Sequence, residues 1–288
     1  MLVPGIDILA KANIDNYAIG AFNTSNLEST QAIIESAEEL SSPVIIQVSE
    51  GGFNYAGGKS IAAIVKTMAA DASVPIALHL DHGKEFSILM KAVRYGFTSI
   101  MFDGSRYPLD ENIEKTRRIV DIARSVGISV EAELGKIGGT EDNVSVSDND
   151  ALFTDPDEAV KFVKETGVDY LAIAIGTAHG QYKGTPHLDF ERLKEIKSRL
   201  GMPIVLHGAS GVPEDDIKKA VNLGVNKINI DTDIREAFTA ALRQFLNENP
   251  EEYDPRKILG PAKKSMKEVI KKKIIMFGSD DKAKEVLI

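Results

Sequence analysis

What most constrains this chain is an alternation. Short apolar runs, rich in β-branched residues and ending in small or polar ones, recur along most of its length, and a segment of helical periodicity follows each. The runs are Tyr17–Asn23, Val44–Ser49, Ile76–Leu80, Ser99–Asp103, Val130–Glu133, Tyr170–Ile175, Pro203–Leu206 and Lys227–Ile230. Near-continuous apolar runs suit parallel strands buried on both faces. The helical segments are Leu27–Leu40, Ser60–Ala70, Glu85–Tyr95, Leu109–Ser125, Asp155–Glu165, Phe190–Arg199, Glu214–Leu223 and Ile234–Asn247. Asn26 is placed to cap the first, and Pro156 with Asp157 and Glu158 makes a good helix start. A Gly or Pro stands near each next strand: Pro43, Pro75, Gly96, Gly127, Gly167, Gly201 and Gly224.

Eight unbroken strand–helix units predict an α/β fold of the (β/α)8 TIM barrel type over residues 17–247, with a C-terminal helical extension over 250–288. The whole of 1–288 then reads as a single domain. An open, doubly wound sheet also alternates, but the count of eight favours the barrel. No Gly-x-Gly-x-x-Gly follows the first run, which weakens a dinucleotide-binding reading. The basic stretch Lys271–Lys273 reads as a solvated helix face.

Composition narrows the chemistry. The chain has no cysteine, which excludes a disulfide scaffold, cysteine-ligated metal and a thiol nucleophile. Lys+Arg is 34 and Asp+Glu is 43, for a net charge of −9, so nucleic acid is not an expected partner. No apolar run approaches the roughly 18 residues of a membrane helix, and the N-terminal stretch lacks the regions of a signal peptide. A soluble cytoplasmic protein without a membrane partner is the expectation. Any metal would have to be held by the five histidines and by carboxylates.

Four of the histidines stand at or near strand ends: His79 and His82 in HLDHG, His179 in AIGTAHG and His207 in VLHGAS; His187 sits in a loop. In a barrel these ends share one face, where three imidazoles and an open position would make a catalytic zinc site. Spacing alone does not choose between His79 and His82. Asp81, Asp103 and Glu133 converge on the same face, and Asp81 and Glu133 interrupt apolar strands, where an ionised group needs a partner. Two connections are long, Leu134–Thr154, which carries Glu141 and Asp142, and Gly176–Leu188; connections of that length are usually functional or mobile. A phosphate site is legible after the last two strands. There Gly208, Ser210 and Gly211 can aim backbone N–H groups at an anion, and Thr232 opens a helix beside Asp231 and Asp233. The competing reading is that Ser210 and Thr232 merely cap their own helices.

With those residues placed, the sequence resembles the class II, metal-dependent fructose-bisphosphate aldolases, in the branch that also holds tagatose-bisphosphate aldolases. The resemblance runs through GAFN, SPVIIQVSEGG with YAGG, HLDHG, EAELGKIGG-x-ED, AIGTAHGQYKG, VLHGASGVP, INIDTD and YDPRKILGPA. It implies His82, His179 and His207 as ligands of a catalytic Zn2+, and Asp103 and Glu133 as carboxylates of a second divalent metal position. It implies Asp81 as the general acid/base of carbon–carbon cleavage and Glu141 as the group exchanging a proton with the triose-phosphate carbon. Gly180, Gly208, Ala209, Ser210, Asn229, Ile230, Asp231 and Thr232 match positions that hold dihydroxyacetone phosphate, where a monovalent cation (Na+ or K+) would offset Asp231. Asn23 and Ser49 match positions near the aldehyde half. Arg256 matches an arginine that grips the far phosphate from a neighbouring subunit, in a homodimer or homotetramer. In the implied cleavage Asp81 takes the C4 hydroxyl proton, zinc stabilises the enediolate, Glu141 delivers a proton, and closure of the fifth loop excludes water.

Three rivals stand beside fructose 1,6-bisphosphate cleavage. A Schiff-base aldolase needs a lysine pointing into the barrel, and Lys227 is expected to begin its strand instead of facing an interior site. A tagatose-1,6-bisphosphate aldolase differs only at C4 of the sugar. A non-catalytic phosphosugar-binding barrel would lack ligands or base, and none is missing here.

Overall fold

A computed structural model describes residues 1–141, 144–146, 153–182 and 184–286, with the backbone alone for 140, 141 and 144–146. The chain begins with α1 (Gly5–Asp15), β1 (Ile19–Asn23), α2 (Leu27–Glu39), β2 (Val44–Ser49), α3 (Glu50–Ala56) and α4 (Gly58–Asp71). Next come β3 (Ile76–Gly83), α5 (Phe86–Tyr95), β4 (Ser99–Phe102), α6 (Leu109–Ser125) and β5 (Ser129–Leu134). Then follow β6 (Gly138–Glu141), β7 (Val144–Val146), α7 (Pro156–Thr166), β8 (Tyr170–Ile173), β9 (Ala178–His179) and α8 (Phe190–Leu200). The last are β10 (Ile204–Leu206), α9 (Glu214–Asn222), β11 (Val225–Ile230), α10 (Thr232–Glu248), α11 (Pro255–Phe277) and α12 (Ala283–Val286).

Eight parallel strands close into a barrel in the order β1-β11-β10-β8-β5-β4-β3-β2, as the alternation predicts. Closure satisfies every ladder without an edge. Outward strand residues such as Leu78, Leu80, Ile100 and Leu171 pack against the helices in one large apolar shell. Helix starts follow their local chemistry. Asn26 Oδ1 accepts from Ser29 N at 2.9 Å, and Asp155 Oδ1 accepts from Asp157 N at 2.8 Å.

Three features exceed the sequence expectation. The N-terminal stretch forms α1, whose Ile8, Leu9 and Ala12 pack on Ile19, Ile45, Ala77, Tyr170 and Val205 to plug the barrel at the strands' N-terminal ends. The expected helix Ser60–Ala70 forms as α4, and an unexpected short helix, α3, precedes it, with Gly57 between the two. The two long connections form a small sheet, β7-β6-β9, over the opposite end. The C-terminal helix α11 lies along α2 and α10, where Lys263 and Lys267 each reach Glu35 at 2.9 Å.

Candidate active site

The end of β3 sets the centre. Alternation points His79 and Asp81 inward while Leu78 and Leu80 join the outer shell. Continued alternation would turn His82 outward. Instead His82 takes φ 49°, in the left-handed region, and the β3–β4 register shifts between Leu80 and Gly83. Two consecutive residues, Asp81 and His82, therefore face the same mouth. A side-chain-bearing residue in that conformation costs about 1 kcal/mol or more, so the surroundings must hold it there.

His82 meets two other imidazoles. The ring centroids lie 4.6 Å from His207, just beyond β10, and 5.0 Å from His179 on β9. One ring nitrogen from each of the three lies within 4.8 Å of the others. Their partners settle which nitrogen carries the proton. Glu131 Oε1 accepts from His207 Nε2 at 2.7 Å, and Asp103 Oδ2 accepts from His82 Nδ1 at 3.0 Å. The remaining nitrogens, His207 Nδ1 and His82 Nε2, face each other 2.8 Å apart with lone pairs. Two facing lone pairs need a shared proton or a cation beside them, and with one nitrogen from each of three histidines converging here the residues fit a divalent metal. Burial pushes His207 well down from the usual histidine value, which keeps the neutral, metal-binding form.

His82, Asp103 and Glu133 form a second set with ligand atoms equally close. Burial pushes the Asp103 carboxyl up. Hydrogen bonds from His82 and Ser105 outweigh that and hold it well below the usual carboxylate range, so it stays anionic.

Asp81 is fully buried and is held by three neutral amides. Asn229 Nδ2 donates to Oδ1 at 3.1 Å; Gln47 Nε2 and Asn23 Nδ2 donate to Oδ2 at 3.2 and 3.4 Å. Amides orient the carboxylate without supplying a proton it would have to displace.

Over the mouth, β6 pairs in parallel with β9, matching Gly139 to His179. Gly139 has φ 93°, and any Cβ there would overlap the His179 carbonyl oxygen. The pairing carries the backbone of Glu141, the end of β6, into the same small sheet as His179. The side chain of Glu141, and Asp142 altogether, lie outside the described residues.

Two adjoining cavities open here, of about 600 and 260 Å³. The larger is lined by His179, Gly180, Gly208, Ser210, Asn229 and Thr232, and the smaller by Thr24, Asn26 and Ser49. Asn23 and Asp231 line both. The own-helix capping alternative for Ser210 and Thr232 is not what forms: the N-cap residues of α9 and α10 are Pro213 and Asp231, neither with a side-chain cap bond, and Ser210 Oγ instead accepts from Asp233 N in the first turn of α10 at 3.4 Å.

The other expected residues fall as follows, and one expectation, that for Lys227, is corrected. Ile230 and Ala209 are buried in the outer shell, so only their backbones can serve a ligand. Arg256 lines neither cavity; it lies exposed on the first turn of α11, where Asp254 Oδ2 accepts from its Nη2 at 2.8 Å. Lys227 does face the barrel interior, fully buried, because β11 starts two residues earlier than the apolar run suggests. Its Nζ is held 2.9 Å from Glu131 Oε2 and 2.7 Å from Asn229 Oδ1, away from both cavities. Sequence reading passed over Glu131, Gln47, Arg235 and Arg243. The i, i+4, i+8 spacing of Arg235, Thr239 and Arg243 on α10 was the available signal, since all three line the larger cavity.

A family model described as fructose-bisphosphate aldolase class-II matches residues 3–282. The chain is 48% identical over 306 aligned residues to a fructose-bisphosphate aldolase of Thermus caldophilus, covering 98% of this chain and 100% of that one. It is 45% identical over 282 residues to a sulfofructosephosphate aldolase of Alkalicoccus urumqiensis, covering 98% of each. Among solved structures it is similar to the YdjI aldolase of Escherichia coli K12, with a TM-score of 0.86 and 37% identity over 98% of this chain and 100% of that chain.

Proposed function

The chain belongs to the class II fructose-bisphosphate aldolase family, and from that premise we propose that it cleaves fructose 1,6-bisphosphate reversibly to dihydroxyacetone phosphate and glyceraldehyde 3-phosphate. The family's enzymes are metal-dependent lyases acting on sugar phosphates. The observation that carries the substrate is the pair of adjoining cavities that share Asn23, Asp231, Arg235 and Thr239, with Arg235 and Arg243 in the larger one offering cationic groups to a phosphorylated ligand.

In this reading His82, His179 and His207 hold a catalytic zinc ion, and Asp103 and Glu133 offer a second divalent position. The metal, when bound, acts as a Lewis acid toward negative charge developing on substrate oxygens. Asp81 accepts the proton of the C4 hydroxyl. The carbonyl of the leaving aldehyde forms as the C3–C4 bond breaks, and the bonding pair remains on the dihydroxyacetone phosphate half as its enediolate. Glu141 returns a proton to C3. Gly180, Gly208, Ser210, Asn229 and Thr232, with the backbones of Ala209 and Ile230, orient the triose phosphate, with Na+ or K+ offsetting Asp231. Asn23 and Ser49 position the aldehyde half. Arg256 of the partner subunit grips the far phosphate in a homodimer or homotetramer, so all of 1–288 works as one unit. The cytoplasm is the setting of this reading, because a charged bisphosphate stays in the compartment that makes it.

The test is kcat/KM on fructose 1,6-bisphosphate, tagatose 1,6-bisphosphate and 6-deoxy-6-sulfofructose 1-phosphate, with and without a chelator. We expect at least about a tenfold preference for the first, lost on chelation and restored by zinc. An equal preference for another sugar overturns the substrate, and full activity in chelator overturns the metal.

A further inference from the structure

Barrel interiors are ordinarily filled by branched apolar side chains; the layer against α1, with Ile19, Ile45 and Val205, follows that rule, and the layer above it does not. Beneath the imidazoles lie His79, Glu131 and Lys227, each fully buried. Glu131 is the hub. Its Oε1 takes His207 Nε2 at 2.7 Å, and its Oε2 lies 2.9 Å from Lys227 Nζ and 3.4 Å from His79 Nε2. Buried charges cost free energy and add little net stability, so this group calls for another reason to be there.

We propose that Lys227 is a positioning residue that sets both halves of the reaction centre at once. An ammonium only donates and a carboxylate only accepts, whereas an amide does both. Lys227 Nζ meets Asn229 Oδ1 at 2.7 Å, which turns Asn229 Nδ2 toward Asp81 Oδ1 at 3.1 Å. Without the lysine that amide could rotate and set an oxygen against the carboxylate. On the other side Lys227 compensates Glu131, which then accepts from His207 Nε2 and leaves His207 Nδ1 as the lone pair facing His82. One side chain thus fixes the rotamer of the amide on the general base and the tautomer of a metal ligand. The inference rests on the roles assigned above to Asp81 and His207.

The experiment compares wild type, Lys227→Met and Lys227→Met/Glu131→Gln. It measures zinc affinity of the metal-free proteins against a chromophoric chelator, and kcat and KM of the zinc-loaded ones. The single variant should bind zinc at least about tenfold more weakly and lose about a hundredfold in kcat, with KM moved less than about threefold. The double variant removes both buried charges, so it folds even where the single one does not. The amide oxygen introduced by Glu131→Gln can still accept from His207, so zinc affinity should return to within about threefold of wild type, while kcat stays low because Asn229 remains unlocked. Wild-type zinc affinity and kcat in Lys227→Met overturn the proposal, as does a lowered Tm with both constants unchanged. Recovery of kcat in the double variant overturns the Asn229 half. Zinc affinity needs no substrate, so a wrong substrate assignment would show only in the wild-type cleavage assay.

Discussion

The two faces of the barrel strands do different work. Outward residues such as Leu78 and Leu80, with Ile33 and Phe162 of the helices that cover them, belong to an apolar shell whose fully buried side chains are hydrocarbon or thioether. Inward residues above the α1 plug include Gln47, His79, Asp81, Glu131, Lys227 and Asn229, and each fixes a neighbour's orientation. The contrast teaches that stability and reactivity are separable here, since a strand alternates its faces residue by residue.

Substitutions on the two faces should therefore fail differently. The largest effect belongs to the inner face. Asp81→Ala should lower kcat by about a thousandfold with far-UV circular dichroism and Tm nearly unchanged; near wild-type turnover would show that Asp81 is not the base. Phe162→Ala, in the outer shell, should reverse the pattern. It should cost about 3–5 kcal/mol in denaturant unfolding, with kcat/KM of the folded fraction intact, and an equal loss of turnover would break the separation. The smallest effect tests a third region, the plugged end. There Lys197 is half-buried without a carboxylate, bonded to Asn13, to Met202 O at 3.0 Å and to Asn226 Oδ1 at 2.7 Å. Burial lowers its pKa from 10.5 to about 8. The unfolded chain holds that proton to higher pH than the folded one, so stability should rise with pH between those two values. Chemical denaturation across that range should show the rise relative to a flatter Lys197→Met, and parallel curves would refute it.

The barrel was legible because its strands carry apolar outward residues in compact runs, and the span of α6 matches the periodic segment Leu109–Ser125. The candidate ligands were legible because His82, Asp103, His179 and His207 stand near strand ends. The interior was harder to read. Asn226 and Lys227 look like a polar approach to a strand, yet both are fully buried within β11. Glu131 shares the parity of Glu133, and period two would have put both inside. The left-handed turn at His82 leaves no mark in composition, because no glycine announces it. The small sheet over the mouth carries no strand signature in the sequence, since Gly, Ser and Asp disfavour strands unless tertiary pairing holds them.

That small sheet has a consequence for how variation in this chain would be interpreted. Gly139 carries no functional group, and nothing in its chemistry suggests a part in turnover. Yet its backbone is the hinge pin between the segment bearing Glu141 and the one bearing His179. In a random screen for inactive variants, Gly139→Ala should surface beside substitutions of the histidines, with the fold of the barrel untouched.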